Sequence, residues 1–285
     1  MEKIPLEIIA RLKDFLDEDI RSGDLTSDIT VPEEMTATAT IYAKQEAVLA
    51  GVLEVAAIAD FSGLDYEVLA FEGNWTQMHQ PVMHLSGSAR TLLAVERVCL
   101  NIVQRMSGIA TKTYRMVEAA RAQNPGVRVA ATRKTTPGFR FFEKRAVVVG
   151  GGDPHRYALD DMVLIKNNHI TAAGGVQKAV SAARRSVSFS KKISCETRTL
   201  QETLEAIDAG ADIILLDNFR PQDIGGVVSV LEKEGLRNKV ILEASGGVDE
   251  ENIGEFAKAG VDVISSGSLT HSYDSADFNM ILSLN

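Results

Sequence analysis

Apolar and polar positions alternate with two different periods along the chain, and the change of period marks its organisation. Near the N-terminus Ile8, Ile9, Leu12, Phe15 and Leu16 recur at helical spacing, so the first twenty residues predict an amphipathic helix. The turn-rich stretch GDLTSDIT reads as a connector. TATATIYAK, residues 36 to 44, is rich in β-branched residues and predicts a strand. Further strands are expected near 64–71 and 81–86. A long helix is expected over 89–106, burying Leu92, Leu93, Val98, Ile102, Val103 and Met106, with a second helix running to about Gln123. The first hundred or so residues therefore read as a mixed α+β domain.

After Gly126 short apolar runs alternate with helical stretches. The runs are VRVAAT (127–132), MVLIK (162–166), KISCE (192–196), DIILLD (212–217), VILEAS (240–245) and VDVISS (261–266). Continuous apolar strands separated by helices predict parallel strands covered on both faces. Each run ends in polar or charged residues: Arg133-Lys134, Lys166-Asn167-Asn168, Glu196, Asp217-Asn218, Ser245-Gly246-Gly247 and Ser266-Gly267-Ser268. Parallel strands bring such ends to one face, which carries the active site in an α/β barrel. A doubly wound sheet would gather them too. Only six strong strands are visible, so an incomplete barrel is expected.

Composition narrows the function. The chain has 285 residues, a formal charge of −9 and 45% hydrophobic residues. The acidic balance argues against general nucleic-acid binding. Cys99 and Cys195 form no C-x-x-C pair or disulfide framework. The N-terminus lacks the pattern of a signal peptide, and no apolar run approaches the about 18 residues of a membrane span. A cytoplasmic protein without membrane or nucleic-acid partners is expected.

Against that acidity, ATRKTTPGFRFFEKR (131–145) collects Arg133, Lys134, Arg140, Lys144 and Arg145 beside one acid, Glu143. With Lys166, the strand-end pair Arg133 and Lys134 would bind an anion of several charges. Arg140, Lys144 and Arg145 fit that role or a solvated surface with salt bridges. GGGDPHR (150–156) adds a glycine loop with His155 and Arg156. The turns SGG (245–247) and SSGS (265–268) suit phosphate, because glycine lets backbone N–H groups approach an anion; ordinary βα-turn chemistry is the alternative. Glu196 and Asp217 are the acids of the mouth, fit to hold Mg²⁺, to bond ribose hydroxyls, or to neutralise neighbouring cations. The alternation in VILEAS sends Glu243 inward. Arg97, Asn101 and Arg105 fall within about a quarter of one helix surface, as a ligand strip, a subunit contact or a solvent stripe. No metal cluster of Cys and His is visible.

Taken together, GDLTSD, ERVCLNIVQRMSGIAT, ATRKTTPG, GGGDPHR, DDMVLIKNNH, the Glu of SCET, LLDN, EASGG and SSGSLTH resemble, in order, the quinolinate phosphoribosyltransferases (nicotinate-nucleotide pyrophosphorylase, carboxylating). The resemblance implies an N-terminal α/β sandwich (1–108), an incomplete parallel α/β barrel (109–269), and a segment 270–285 packing back on the sandwich. It implies a homodimer or larger homo-oligomer with shared active sites. It implies Mg²⁺-dependent conversion of quinolinate and 5-phosphoribosyl-1-pyrophosphate to nicotinate mononucleotide, carbon dioxide and pyrophosphate. Residue by residue, quinolinate is expected at Arg133, His155, Arg156 and Lys166, with Arg105 arriving from the partner. Lys134 and Lys166 serve the donor, and Thr135 joins the substrate-binding positions. Glu196 and Asp217 face ribose and metal. Ser245, Gly246, Gly247, Ser266, Gly267 and Ser268 hold the 5-phosphate. Lys134, Lys166, Glu196 and Asp217 are the expected catalytic set. Asn167 stands where the family usually has Asp. The rival readings are a Schiff-base barrel aldolase using Lys166, a pyridine phosphoribosyltransferase that does not decarboxylate, and a non-catalytic phosphosugar-binding barrel.

Overall fold

A computed structural model describes residues 4–284, so the first three residues of the expected N-terminal helix lie outside it. The chain forms two compact units. One holds the residues up to Lys112, Phe141–Gly151 and the segment from Tyr273; the other holds Thr113–Arg140 and Gly152–Ser272. Residues 141–151, kept with the barrel on sequence grounds, group with the first unit. There Phe142 packs against Phe15 at 5.5 Å between ring centroids, and Arg145 is bound by Glu54 and Glu72.

In the first unit the helix Leu6–Ile20 buries Leu12 and Leu16. The expected connector contains a short helix, Leu25–Thr30, because the Asp24 side chain accepts the N–H groups of Thr26 and Ser27 at its start. The strands are β1 (Thr36–Ala43), β2 (Ala47–Val48), β3 (Asp65–Val68), β4 (Trp75–Thr76) and β5 (Pro81–Ser88). In β1 small and aliphatic residues alternate inward, Ala37, Ala39, Ile41 and Ala43 being buried. A later strand, Phe278–Leu284, pairs antiparallel with β1 from Phe278 opposite Ala43 to Leu284 opposite Ala37.

One helix, Ala89–Arg121, stands where two were expected. Gly108 marks a close contact within it. A Cβ there would lie 2.2 Å from the Asp274 carbonyl oxygen, so packing requires glycine while the helix continues. Beside it the Ser107 hydroxyl accepts from the Ala50 N–H, and about one turn on Thr111 accepts from that of Val48.

The second unit carries six parallel strands: β6 (Arg128–Ala130), β7 (Val163–Ile165), β8 (Ile193–Thr197), β9 (Ile213–Asp217), β10 (Ile241–Ser245) and β11 (Val263–Ser265). The C-terminal strand Phe278–Leu284 is β12 and completes the first unit's sheet, ordered β12-β1-β5-β3. The six-stranded sheet runs β6-β11-β10-β9-β8-β7. Its first strand lies beside its last, which is barrel order with β6 and β7 unpaired to each other. This is the incomplete α/β barrel expected. Every residue of β8 is buried, as strands covered on both faces require.

Candidate active site

Parallel direction brings the C-terminal ends of all six strands to one side of the second unit. Arg133, Lys134 and Thr135 follow β6, Lys166 follows β7, Glu196 lies in β8, and Asp217 ends β9. The turns 245–247 and 266–268 begin at the ends of β10 and β11, and His155 and Arg156 lie on the loop leading to β7.

Hydrogen bonds join neighbouring loops at this end. The Thr270 hydroxyl donates to the Lys134 carbonyl at 2.8 Å. A Cβ on Gly267 would meet the Lys134 side chain at 2.7 Å, so the cationic loop and the last glycine turn lie against each other. Ser266 and Ser268 hydroxyls are 2.7 Å apart, and the Ser266 hydroxyl donates to the Val248 carbonyl at 2.6 Å. Gly246 has φ +102°, and a Cβ there would stand 2.3 Å from Asn218 Oδ1. Asn218 itself has φ 59°, donates its amide N–H to the Ser245 carbonyl and its side chain to Asp217. Asp217 and the SGG turn are thus one bonded unit.

Arg133, Lys134 and Lys166 are exposed. Arg140 holds the loop, donating to the Thr135 hydroxyl at 2.9 Å and the Tyr157 carbonyl at 2.8 Å. The Arg156 pKa is lowered first by burial and then by the Arg133 charge, with Glu243 and Asp161 opposing. Lys166 opens the helix Asn167–Ala173, its N–H donating to His169 Nδ1 at 2.9 Å. Asn167 is exposed on that first turn.

Glu196 and Asp217 share a partner that the sequence reading missed. Arg198 Nη2 lies 3.4 Å from Glu196 and 3.8 Å from Asp217. The signal was there: Arg198 follows Glu196 by two places, so strand alternation continues to the same face. Ladder register sets Glu196, Leu215 and Glu243 side by side on that face. Glu243 is 3% exposed, and His155 Nε2 lies 3.3 Å from it.

Three basic candidates lie in the first unit. Arg105 donates from Nε to Glu143 at 3.2 Å and stands 5.1 Å from the Tyr273 ring centroid. Lys144 is fully buried, and Arg145 is bound by Glu54 and Glu72. Of the choice left open between a ligand site and a salt-bridged surface, Lys144 fits neither, being interior, while Arg145 is salt-bridged and only partly exposed.

Residues 24–107 match the N-terminal domain of quinolinate phosphoribosyl transferase, and residues 109–281 match its C-terminal domain. The chain belongs to the quinolinate phosphoribosyl transferase family. It is 47% identical over 253 residues to a probable nicotinate-nucleotide pyrophosphorylase (carboxylating) of Archaeoglobus fulgidus, covering 89% of this chain and 97% of that one. The human nicotinate-nucleotide pyrophosphorylase (carboxylating) is 44% identical over 246 residues, covering 86% of this chain and 82% of the human one. The crystal structure of NadC from Streptococcus pyogenes superposes with a TM-score of 0.92 at 36% identity, over 100% of this chain and 99% of that one. Quinolinate phosphoribosyl transferases are phosphoribosyltransferases, and this chain carries both domains of the family.

Proposed function

We propose that this protein transfers the phosphoribosyl group of 5-phosphoribosyl-1-pyrophosphate to quinolinate, giving nicotinate mononucleotide, carbon dioxide and pyrophosphate. One observation carries the reading. Cations, an acid pair and two glycine turns converge at the strand ends of one parallel sheet, in a chain whose relatives are named carboxylating pyrophosphorylases.

Both substrates are polyanions, which explains a basic mouth on an acidic protein. Arg133, Arg156 and Lys166 receive the two adjacent carboxylates, with Arg105 of the partner subunit joining them in a homodimer or larger homo-oligomer. His155 sits beside Arg156 in that pocket. Lys134 and Lys166 face the donor's pyrophosphate. The backbone of 245–247 and 266–268 cradles its 5-phosphate. Held in line, the pyridine nitrogen attacks the anomeric carbon as the bond to pyrophosphate breaks. Positive charge builds on the ribose, and Glu196 and Asp217 stabilise it. The ring nitrogen becomes cationic and stabilises the electron pair left on C2 when the 2-carboxylate departs as carbon dioxide; that pair then takes up a proton.

The residues present fit Mg²⁺. Carboxylate oxygens of Glu196 and Asp217 are hard donors, and Arg198 already holds both to one cation. Among the described residues no cluster of three or more His, Cys, Asp or Glu side chains could hold a metal, so donor phosphates would complete its coordination. When bound, Mg²⁺ supplies charge neutralisation to the leaving pyrophosphate.

A reducing, cytoplasmic setting belongs to the same reading. Both cysteines are free and buried, and burial pushes each thiol up to about 12. Among the described residues no helix is long and apolar enough to cross a membrane. Acceptor choice tests the function. Pyrophosphate release with quinolinate and not with nicotinate is expected; the reverse would replace the reading with a non-decarboxylating transferase.

A further inference from the structure

Glu243 is a buried carboxylate to which the proposed chemistry gives no role. It points inward from β10 beside Leu215, on the face shared with Glu196. A carboxylate with 3% exposure is retained in an interior only where a partner compensates it. That partner is His155, whose Nε2 lies 3.3 and 3.4 Å from the two Glu243 oxygens.

The other ring nitrogen is also engaged. The Arg156 backbone N–H donates to His155 Nδ1 at 2.8 Å. A ring nitrogen that accepts carries no hydrogen, so the hydrogen is on Nε2 and is donated to Glu243. The backbone is held as well. His155 has φ 54°, a conformation that non-glycine residues keep only when their surroundings enforce it. Its N–H donates to Asp153 Oδ1 at 2.8 Å. Both ring nitrogens are therefore engaged by protein groups.

We propose that Glu243 is a positioning residue that fixes His155 as the Nε2–H tautomer, so that His155 shapes the dicarboxylate pocket and exchanges no proton with the substrate. The inference rests on the function proposed above for its pocket. Through His155 and the adjoining Arg156 N–H, Glu243 sets where the Arg156 guanidinium stands. Its own charge also offsets that of Arg156 before the dianion enters.

The full-length enzyme labelled with ¹⁵N-histidine tests this. A two-dimensional ¹⁵N–¹H spectrum of the ring nitrogens is recorded at neutral pH, with His155→Asn identifying the signal. Wild type is expected to show His155 as Nε2–H. Glu243→Gln is expected to perturb that signal and raise the KM for quinolinate about ten-fold, as loss of one charge-assisted hydrogen bond implies. Its KM for the phosphoribosyl donor is expected to stay within about two-fold. Glu243→Asp, which keeps the charge, is expected to fall between, and it serves both readouts if Glu243→Gln does not fold. An Nδ1–H pattern in wild type overturns the inference. So does a Glu243 variant with unchanged ring signal and unchanged quinolinate KM, or a His155→Asn enzyme that loses kcat alone. Failure of wild type to use quinolinate would sink the proposed function instead, and the spectrum would still decide the tautomer.

Discussion

Arg145 stands between two carboxylates, Glu54 and Glu72, and one guanidinium cannot neutralise both. Burial pushes Glu54 up from 4.5 to about 7, with Arg145 opposing the shift and Glu72 adding to it. Between those values the folded protein holds a proton that the unfolded chain has lost, so stability falls as pH rises through that window. Glu54→Gln cannot ionise. Urea unfolding at pH 5.5 and 8 is expected to show wild type losing on the order of 2 kcal/mol relative to this variant; an equal slope would refute the assignment. At the acid pair, Glu196→Gln is expected to lower kcat by about 10²-fold or more. Arg198→Ser is expected to change it less than about ten-fold, because a half-exposed counter-ion contributes little. Steady-state kinetics on both variants would separate a reacting group from its counter-ion. Charge type was legible in the sequence here; charge partner was not. Arg145 and Lys144 belong to the same cationic run as Arg133, and only tertiary contact buries Lys144 and binds Arg145 to two carboxylates.

Strands and helices differ in how much of them could be read beforehand. The six parallel strands were legible because each is a continuous apolar run ended by polar residues, and the ladder needs no further information to align those ends. The helix Ala89–Arg121 was not, because Ser107-Gly108 looks like a break. The reason lies elsewhere in the chain, in the Asp274 carbonyl that occupies the space a Cβ would need. Gly→Ala inside a helix ordinarily stabilises by about 1 kcal/mol. Gly108→Ala is expected to do the opposite by about 1 to 3 kcal/mol, through overpacking, and thermal unfolding would show a lower Tm. The short helix Leu25–Thr30 escaped notice for a local reason: Asp24 caps it within a stretch whose Gly and Thr content reads as a turn. Glu243 was legible as inward-facing from alternation, whereas its pairing with His155 joins residues 88 positions apart.

For the whole molecule the decisive question is what the convergent strand ends do with two polyanions. If Arg105 of the partner subunit completes each site, mixing Arg105→Ala with Lys166→Ala under subunit exchange should restore activity, up to about a quarter of wild-type sites for a random homodimer. No restoration would place each site within one subunit. The most direct measurement comes before any variant. Purified protein is incubated with quinolinate, 5-phosphoribosyl-1-pyrophosphate and Mg²⁺, and nicotinate mononucleotide and carbon dioxide are followed together. Equal amounts of both, each dependent on both substrates, are expected. Folded protein that binds the phosphoribosyl donor yet forms neither product from quinolinate would contradict the assignment of these strand ends to a carboxylating transferase.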